Sequence, residues 1–236
     1  MVIITCAGLG TRFKGYIDYP KQLLKLKNGR TIIESIIENV REFDNNIVIV
    51  ANKDNYKYFE FLQLPIYLVD KLLGSAYSAS CAISNQNEPL IVMDSDGYYS
   101  KSIFKDLKEI LKTKNCCVVD ERLKDPSLYS FVITDGEKVI KTIEKESGGD
   151  YGIIGIYGFK NTQEYKQAVN EMILKTKPKE YTNALVYNFL TDNTYLQTFD
   201  YKILGTPKQY VEYGTVPKLN PIFETCLTLV SLLNIV

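Results

Sequence analysis

Val2-Ile3-Ile4-Thr5-Cys6-Ala7-Gly8-Leu9-Gly10-Thr11-Arg12-Phe13, with Tyr19-Pro20-Lys21-Gln22 close behind, is the stretch that decides the class of this chain. Residues 2–6 are apolar and rich in β-branched side chains, which reads as a buried strand. A glycine-bearing loop follows at once. Glycines let the backbone turn sharply and aim several N–H groups into one concavity, a nest that suits phosphate oxygens. Arg12 and Lys21 bring positive charge to the same place. Two familiar phosphate motifs fail on detail. The G-x-x-x-x-G-K-[ST] loop is absent, and Phe13 stands where a dinucleotide fingerprint needs its third glycine. A lone G-x-G is equally compatible with a tight strand-to-helix turn. G-x-G-T-R with Lys21 nine residues beyond Arg12 is far more specific.

Outward from this opening, strand and helix signals alternate. Thr31 and Glu34 form a capping box, and Ile32, Ile33, Ile36, Ile37 and Val40 then fall at helical spacing. Strands are expected at residues 47–50, 66–69 and 90–93, with a short helix at 55–62 and a small-residue helix at 75–83. The pattern implies a mostly parallel sheet covered on both faces. Residues 116–119, 129–133, 138–144 and 153–159 are closely spaced strand candidates, and Asp135-Gly136 supplies a hairpin turn. Residues 162–174 read as an amphipathic helix with Tyr165, Val169, Met172 and Ile173 on one side, and 183–190 as a shorter one. The expected organisation is one two-lobed domain: a nucleotide-type half (1–110), a mixed-sheet half (111–213) and a C-terminal docking segment (214–236).

The strand at 90–93 ends abruptly in Asp94-Ser95-Asp96. Side chains two apart on a strand face the same way, so both carboxylates can approach one cation. Mg²⁺ takes one or two carboxylates together with substrate phosphates. Ligands of open α/β sheets also gather beyond the carboxyl ends of strands. The alternative for the pair alone is a solvated turn.

Composition narrows the chemistry. The 236 residues contain no histidine, which excludes Ser-His-Asp and Cys-His triads and every His-ligated metal site. Lys+Arg and Asp+Glu are both 28, so no basic excess points to nucleic acid. Five cysteines, an odd number without C-x-x-C spacing, imply a reduced, cytoplasmic protein. The N-terminus lacks a basic region and reads as a strand rather than a signal peptide. The apolar stretch at 222–236 is too short for a membrane span.

Gly8-Leu9-Gly10-Thr11-Arg12-Phe13 with Tyr19-Pro20-Lys21-Gln22 resembles the opening of nucleotidylyltransferases of the sugar-1-phosphate type. The resemblance implies an α/β, Rossmann-like three-layer (GT-A-like) fold with a mixed central sheet. It implies that Ala7, Gly8, Leu9, Gly10, Thr11 and Arg12 hold an NTP triphosphate, which Arg12 and Lys21 neutralise. Leu73-Gly74-Ser75-Ala76 resembles the family's L-G-T-A segment, which places Gly74 and Ser75 by the nucleoside; a helix N-cap is the equal alternative. Tyr129-Ser130-Phe131-Val132 and Glu144-Lys145 resemble elements that line the acceptor site, with Lys145 for its phosphate and Glu144 for its hydroxyls. Gly155-Ile156-Tyr157 and Leu204-Gly205-Thr206-Pro207 match further segments, so the likeness runs from residue 2 to about 213. Asp96, with Asp94, is the implied Mg²⁺ ligand. Many relatives carry a second metal-binding Asp where this chain has Ile203, and Asp200 is expected elsewhere on a strand. Capsule-locus members with N/D-S-D and L-G-T-P also lack that Asp, and this chain looks most like them.

The implied reaction is nucleotidyl transfer from an NTP to a phosphorylated small acceptor, a sugar 1-phosphate first, with release of pyrophosphate. A phosphomonoester is already anionic near neutral pH, so no general base is needed. The expected partners are an NTP and that acceptor, with no nucleic acid and no membrane span; a homo-oligomer is compatible. Three alternatives stay open: a cytidylyltransferase for a non-sugar phosphomonoester such as phosphocholine, a D-x-D glycosyltransferase, and a non-catalytic nucleotide-binding homologue.

Overall fold

Residues 2–5 alternate between two apolar layers: Val2 and Ile4 pack on one side of the sheet, Ile3 on the other. Such a strand has no solvated face and must lie in the middle of a covered sheet. The computed structural model describes residues 1–84 and 87–213. Its elements in chain order are β1 (Val2–Thr5), α1 (Ile32–Val40), β2 (Ile47–Ala51), β3 (Ile66–Leu68), α2 (Ser75–Ala82), β4 (Leu90–Asp94), β5 (Gly97–Tyr99), α3 (Lys101–Ile110), β6 (Asn115–Asp120), β7 (Ser130–Asp135), β8 (Lys138–Glu144), β9 (Tyr151–Phe159), α4 (Thr162–Lys175), α5 (Asn183–Val186), β10 (Asn193–Gln197), β11 (Tyr201–Ile203) and α6 (Pro207–Tyr213).

Nine strands form one mixed sheet in the order β3-β2-β1-β4-β9-β6-β10-β8-β7. β1 lies parallel to β2 on one side and to β4 on the other, with Thr5 opposite both Val50 and Asp94. β9 runs antiparallel to β4 and to β6. Helices α1 and α3 cover one face through Ile32, Ile36, Ile103 and Phe104. Helices α2, α4 and α5 cover the other through Ala76, Ala79, Tyr165, Val169 and Val186. This is the three-layer arrangement with a mixed sheet that the resemblance implied.

Individual elements match their physical signals. The Thr31–Glu34 capping box forms in full: Thr31 N donates to Glu34 Oε2 at 2.8 Å and Glu34 N to Thr31 Oγ1 at 3.3 Å. Asp135-Gly136 turns β7 into β8, with Gly136 at φ 57°. Residues 56–62, expected as a short helix, are 3₁₀. The 183–190 segment divides into α5 and a 3₁₀ turn at Tyr187–Phe189. Helices α3 and α6 and strands β5, β10 and β11 lie outside the expected elements. β5 and β11 are three residues each and pair only with one another, antiparallel, which is too short for a period to register. The 214–236 docking segment, the 222–236 apolar stretch and Cys226 lie outside the described residues. Cys6, Cys116 and Cys117 are buried and free. Among the described residues no helix is long and apolar enough to cross a membrane.

Candidate active site

The strand order reverses at β1: the chain lays β2 and β3 on one side of it, then β4 on the other. Beyond the carboxyl ends of two such diverging strands a crevice is unavoidable. A cavity of about 500 Å³ occupies that crevice. Ala7, Gly8, Leu9, Gly10, Thr11, Arg12 and Lys21 line it from the β1 side. Gly74, Ser75, Asp94, Asp96, Tyr129, Glu144 and Lys145 complete the lining. Every site residue that the resemblance implied therefore lies in one cleft.

The loop after β1 has the hydrogen-bonding deficit of an anion nest. None of the N–H groups of residues 8–12 finds an acceptor among the described residues. Gly10 sits at φ 60°, the left-handed region, where it caps the 3₁₀ turn Thr11–Phe13. Leu9 at the loop tip is exposed.

Lys21 enters from a second 3₁₀ turn, Lys21–Leu23, and its Nζ donates to Asp96 Oδ2 at 2.6 Å. Burial alone would raise the Asp96 carboxyl, but the charge and hydrogen bond of Lys21, then Arg12, outweigh it and hold the group below its ordinary value. Asp94 has no such partner. Burial first, then the Asp96 charge, push it up to about 7. Two glycines make room for the pair: a Cβ on Gly155 would come within 2.9 Å of Asp94 Oδ2, and one on Gly205 within 2.8 Å of Asp96 Oδ2.

Two adjacent carboxylates, one of them carrying an unfavourable charge at neutral pH, are a donor set that suits a hard cation. No cluster of three or more carboxylate or thiol side chains arranged for a metal exists among the described residues. The chain thus offers the two oxygen-ligand side chains that Mg²⁺ uses when substrate phosphates supply the rest. Ile203 lines the cleft and is apolar, opposite Gly97. Asp200, expected on a strand, instead lies in the connection just before β11, is exposed and does not reach the cleft. Its carbonyl accepts from Ser100 N. Of Asp94 and Asp200, only Asp94 lies in the cleft beside Asp96.

On the far side, Glu144 ends β8. Its Oε2 accepts from the hydroxyls of Ser130 and Thr182, the latter at 3.1 Å, and Lys145 Nζ stands 3.6 Å from Oε1. Lys145 is itself in the left-handed region at φ 52°, turning the chain as it leaves the strand. Tyr129 OH accepts from Gln209 Nε2 at 3.0 Å, and Gln209 is held by Thr206 at the start of α6. Gly74 has two roles at once. It caps α2 at φ 127°, and a Cβ there would strike the Tyr181 backbone at 2.4 Å. Ser75 is fixed by Asn183 Nδ2 at 3.1 Å.

Several residues of the site were not singled out beforehand. Ser95, the middle of the D-S-D triplet, turns inward and donates to Thr5 O at 2.7 Å, while Gln22 Nε2 donates to Ser95 Oγ at 2.8 Å. This relay ties the Lys21 turn to the ends of β1 and β4. The adjacency of Gln22 to Lys21 was the available signal. Asn52 and Asn55 hold the root of the loop from the turn after β2, and nothing in their spacing announces it. Cys6, just behind the cleft, is pushed up to about 12 by burial, so it packs as a hydrophobe and is no nucleophile.

Comparison with known proteins gives concordant results. A family model described as the MobA-like NTP transferase domain matches residues 2–148. The chain is 26% identical over 186 residues to the bifunctional protein GlmU of Methanocaldococcus jannaschii, covering 75% of this chain and 43% of that protein. It thus spans less than half the length of such GlmU relatives. It is 29% identical over 166 residues to the D-glycero-alpha-D-manno-heptose 1-phosphate guanylyltransferase of Campylobacter jejuni, covering 66% of this chain and 73% of that one. The crystal structure of a nucleoside-diphosphate-sugar pyrophosphorylase from Vibrio cholerae superposes with a TM-score of 0.75 at 20% identity, over 90% of this chain and 98% of that one. At that identity the structural match establishes the fold.

Proposed function

The chain belongs to the MobA-like NTP transferase domain family, and on that premise we propose that it transfers a nucleotidyl group from an NTP to a sugar 1-phosphate, releasing pyrophosphate. The observation that carries this reading is the convergence of the unpaired N–H loop, Arg12, Lys21 and the Asp94–Asp96 pair in one crevice. Its opposite wall offers Glu144 and Lys145, a carboxylate for hydroxyls and an ammonium for a phosphate.

The acceptor's phosphate oxygen attacks the α-phosphorus. A new P–O bond forms as the bond from that phosphorus to the pyrophosphate oxygen breaks, and pyrophosphate leaves with the electron pair. The attacking group is already anionic, so the protein supplies position and charge rather than a base. The loop N–H groups and Arg12 bind the β- and γ-phosphates, and Lys21 turns from Asp96 to the reacting phosphates. Asp94 and Asp96 would hold Mg²⁺, which when bound neutralises charge on the phosphates. Glu144, already held by Ser130 and Thr182, orients acceptor hydroxyls.

The test is pyrophosphate release with Mg²⁺, each NTP in turn, and a panel of sugar 1-phosphates and phosphocholine. Release with a sugar 1-phosphate is expected, and Asp96→Asn should lower it about 10²–10³-fold with the melting temperature retained. No release with any pair, or an undiminished Asp96→Asn enzyme, would overturn the reading.

A further inference from the structure

We propose that Asn52 and Asn55 are positioning residues for the triphosphate loop, setting the direction of the peptide N–H groups at its root. The inference rests on the nucleotide reading of the cleft and concerns residues outside its lining. β2 ends at Ala51, and both asparagines are buried in the turn that follows. Asn52 Nδ2 donates to Ala7 O at 2.7 Å, and Asn55 Nδ2 donates to Cys6 O at 2.7 Å. The two side chains interlock: Asn52 N donates to Asn55 Oδ1 at 3.0 Å, and Asn55 N to Asn52 Oδ1 at 3.1 Å. Every amide group of the pair is thereby engaged.

A trans peptide is planar, so the carbonyl of one residue and the N–H of the next point in opposite directions. Holding Cys6 O and Ala7 O toward β2 therefore directs the N–H groups of Ala7 and Gly8 away from it. Gly8 lines the cleft, and its N–H has no acceptor among the described residues. Glycine offers little steric resistance to rotation of the Ala7–Gly8 peptide. If that peptide turned over, a carbonyl dipole would face the triphosphate in place of a donor. The asparagine pair supplies the restraint that the loop's own sequence lacks.

The experiment is calorimetric titration of inorganic tripolyphosphate, and of each NTP, into wild-type protein, Asn52→Ala, Asn55→Ala and Thr31→Ala. Thr31 caps α1 and lies outside the cleft, so its variant controls for general destabilisation. Each asparagine variant should bind tripolyphosphate about tenfold more weakly, while Thr31→Ala binds as wild type at a similarly lowered melting temperature. In turnover the NTP KM should rise and the acceptor KM stay. Unchanged affinity in the asparagine variants, or equal weakening in Thr31→Ala, would overturn the proposal. If wild-type protein binds neither tripolyphosphate nor any NTP, the nucleotide reading itself fails instead. Should Asn52→Ala not fold, Asn55→Ala decides alone, because it keeps the turn that Asn52 caps.

Discussion

Lys21 pairs with Asp96 at 2.6 Å, and the proposed reaction asks the same ammonium to serve phosphate. A cation bound to Asp96 would compete with a metal for the same oxygen. Lys21→Met should therefore lower turnover about 10²–10³-fold and at the same time tighten Mn²⁺ binding by the nucleotide-free protein. Electron paramagnetic titration of Mn²⁺ reads the second effect directly. Equal Mn²⁺ affinity in wild type and variant would show that the ion pair does not guard the site. The residue types at this scale were legible in the sequence, because Gly8, Gly10, Arg12, Lys21, Asp94 and Asp96 bring few alternative chemistries to such spacing. The direction of Ser95 was not: its neighbours face the cleft, and only the β1–β4 register turns its hydroxyl onto Thr5 O.

Among elements, the packing of β9 against the end of β4 is the contact on which the carboxylate pair depends. Met93 pairs with Ile156, and the next residue of β9 toward the cleft is Gly155 at φ 90°. A side chain there meets both an unfavourable backbone conformation and Asp94, whose Cβ would lie 3.1 Å away. Gly155→Ala is expected to cost about 1–3 kcal/mol and to displace Asp94, lowering turnover beyond what the stability loss explains. A thermal melt beside the pyrophosphate assay separates the two, and a fully stable, fully active variant would contradict this account. Longer elements were readable because burial imposes a period: α1 carries its apolar stripe and capping box, and β8 falls at residues 138–144 as expected. The ribbon of β5 and β11 was not readable. It is defined by pairing between residues about a hundred positions apart, with three on each strand.

For the whole molecule, acid stability depends on carboxylates held low by their partners. Asp120 is fully buried at the end of β6. Its carboxylate accepts from Arg122 N at 2.7 Å, from Arg122 Nε at 2.8 Å and from Tyr201 OH at 2.7 Å. Burial works to raise it, and the Arg122 and Tyr201 bonds hold it below its ordinary value regardless. Glu34 is lowered first by the Thr31 N–H; Asp44 is lowered although burial opposes it, by Asn46 and the N-terminal ammonium. Groups lowered on folding contribute stability above their unfolded value, near 4, and lose it as pH falls through the folded value. These carboxylates should therefore make the melting temperature fall below about pH 4, while Asp94, pushed up to about 7, works the opposite way and removes stability as pH rises from about 4 to about 7. Asp120→Asn should lower the melting temperature at neutral pH and flatten the acid fall, and an acid limb unchanged in the variant would exclude Asp120 as a contributor. By itself the sequence determined the class of the fold and the residue types that line the cleft. Periodicity, absent histidine and clustered Gly, Arg, Lys and Asp are local properties that leave few physical solutions. Tertiary structure alone decided what holds the site in place. The asparagine clamp, the Ser95–Gln22 relay, the seat of Glu144 and the placing of Asp94 inside the cleft and Asp200 outside it all depend on residues distant in the chain, and sheet order and register determine which of them meet.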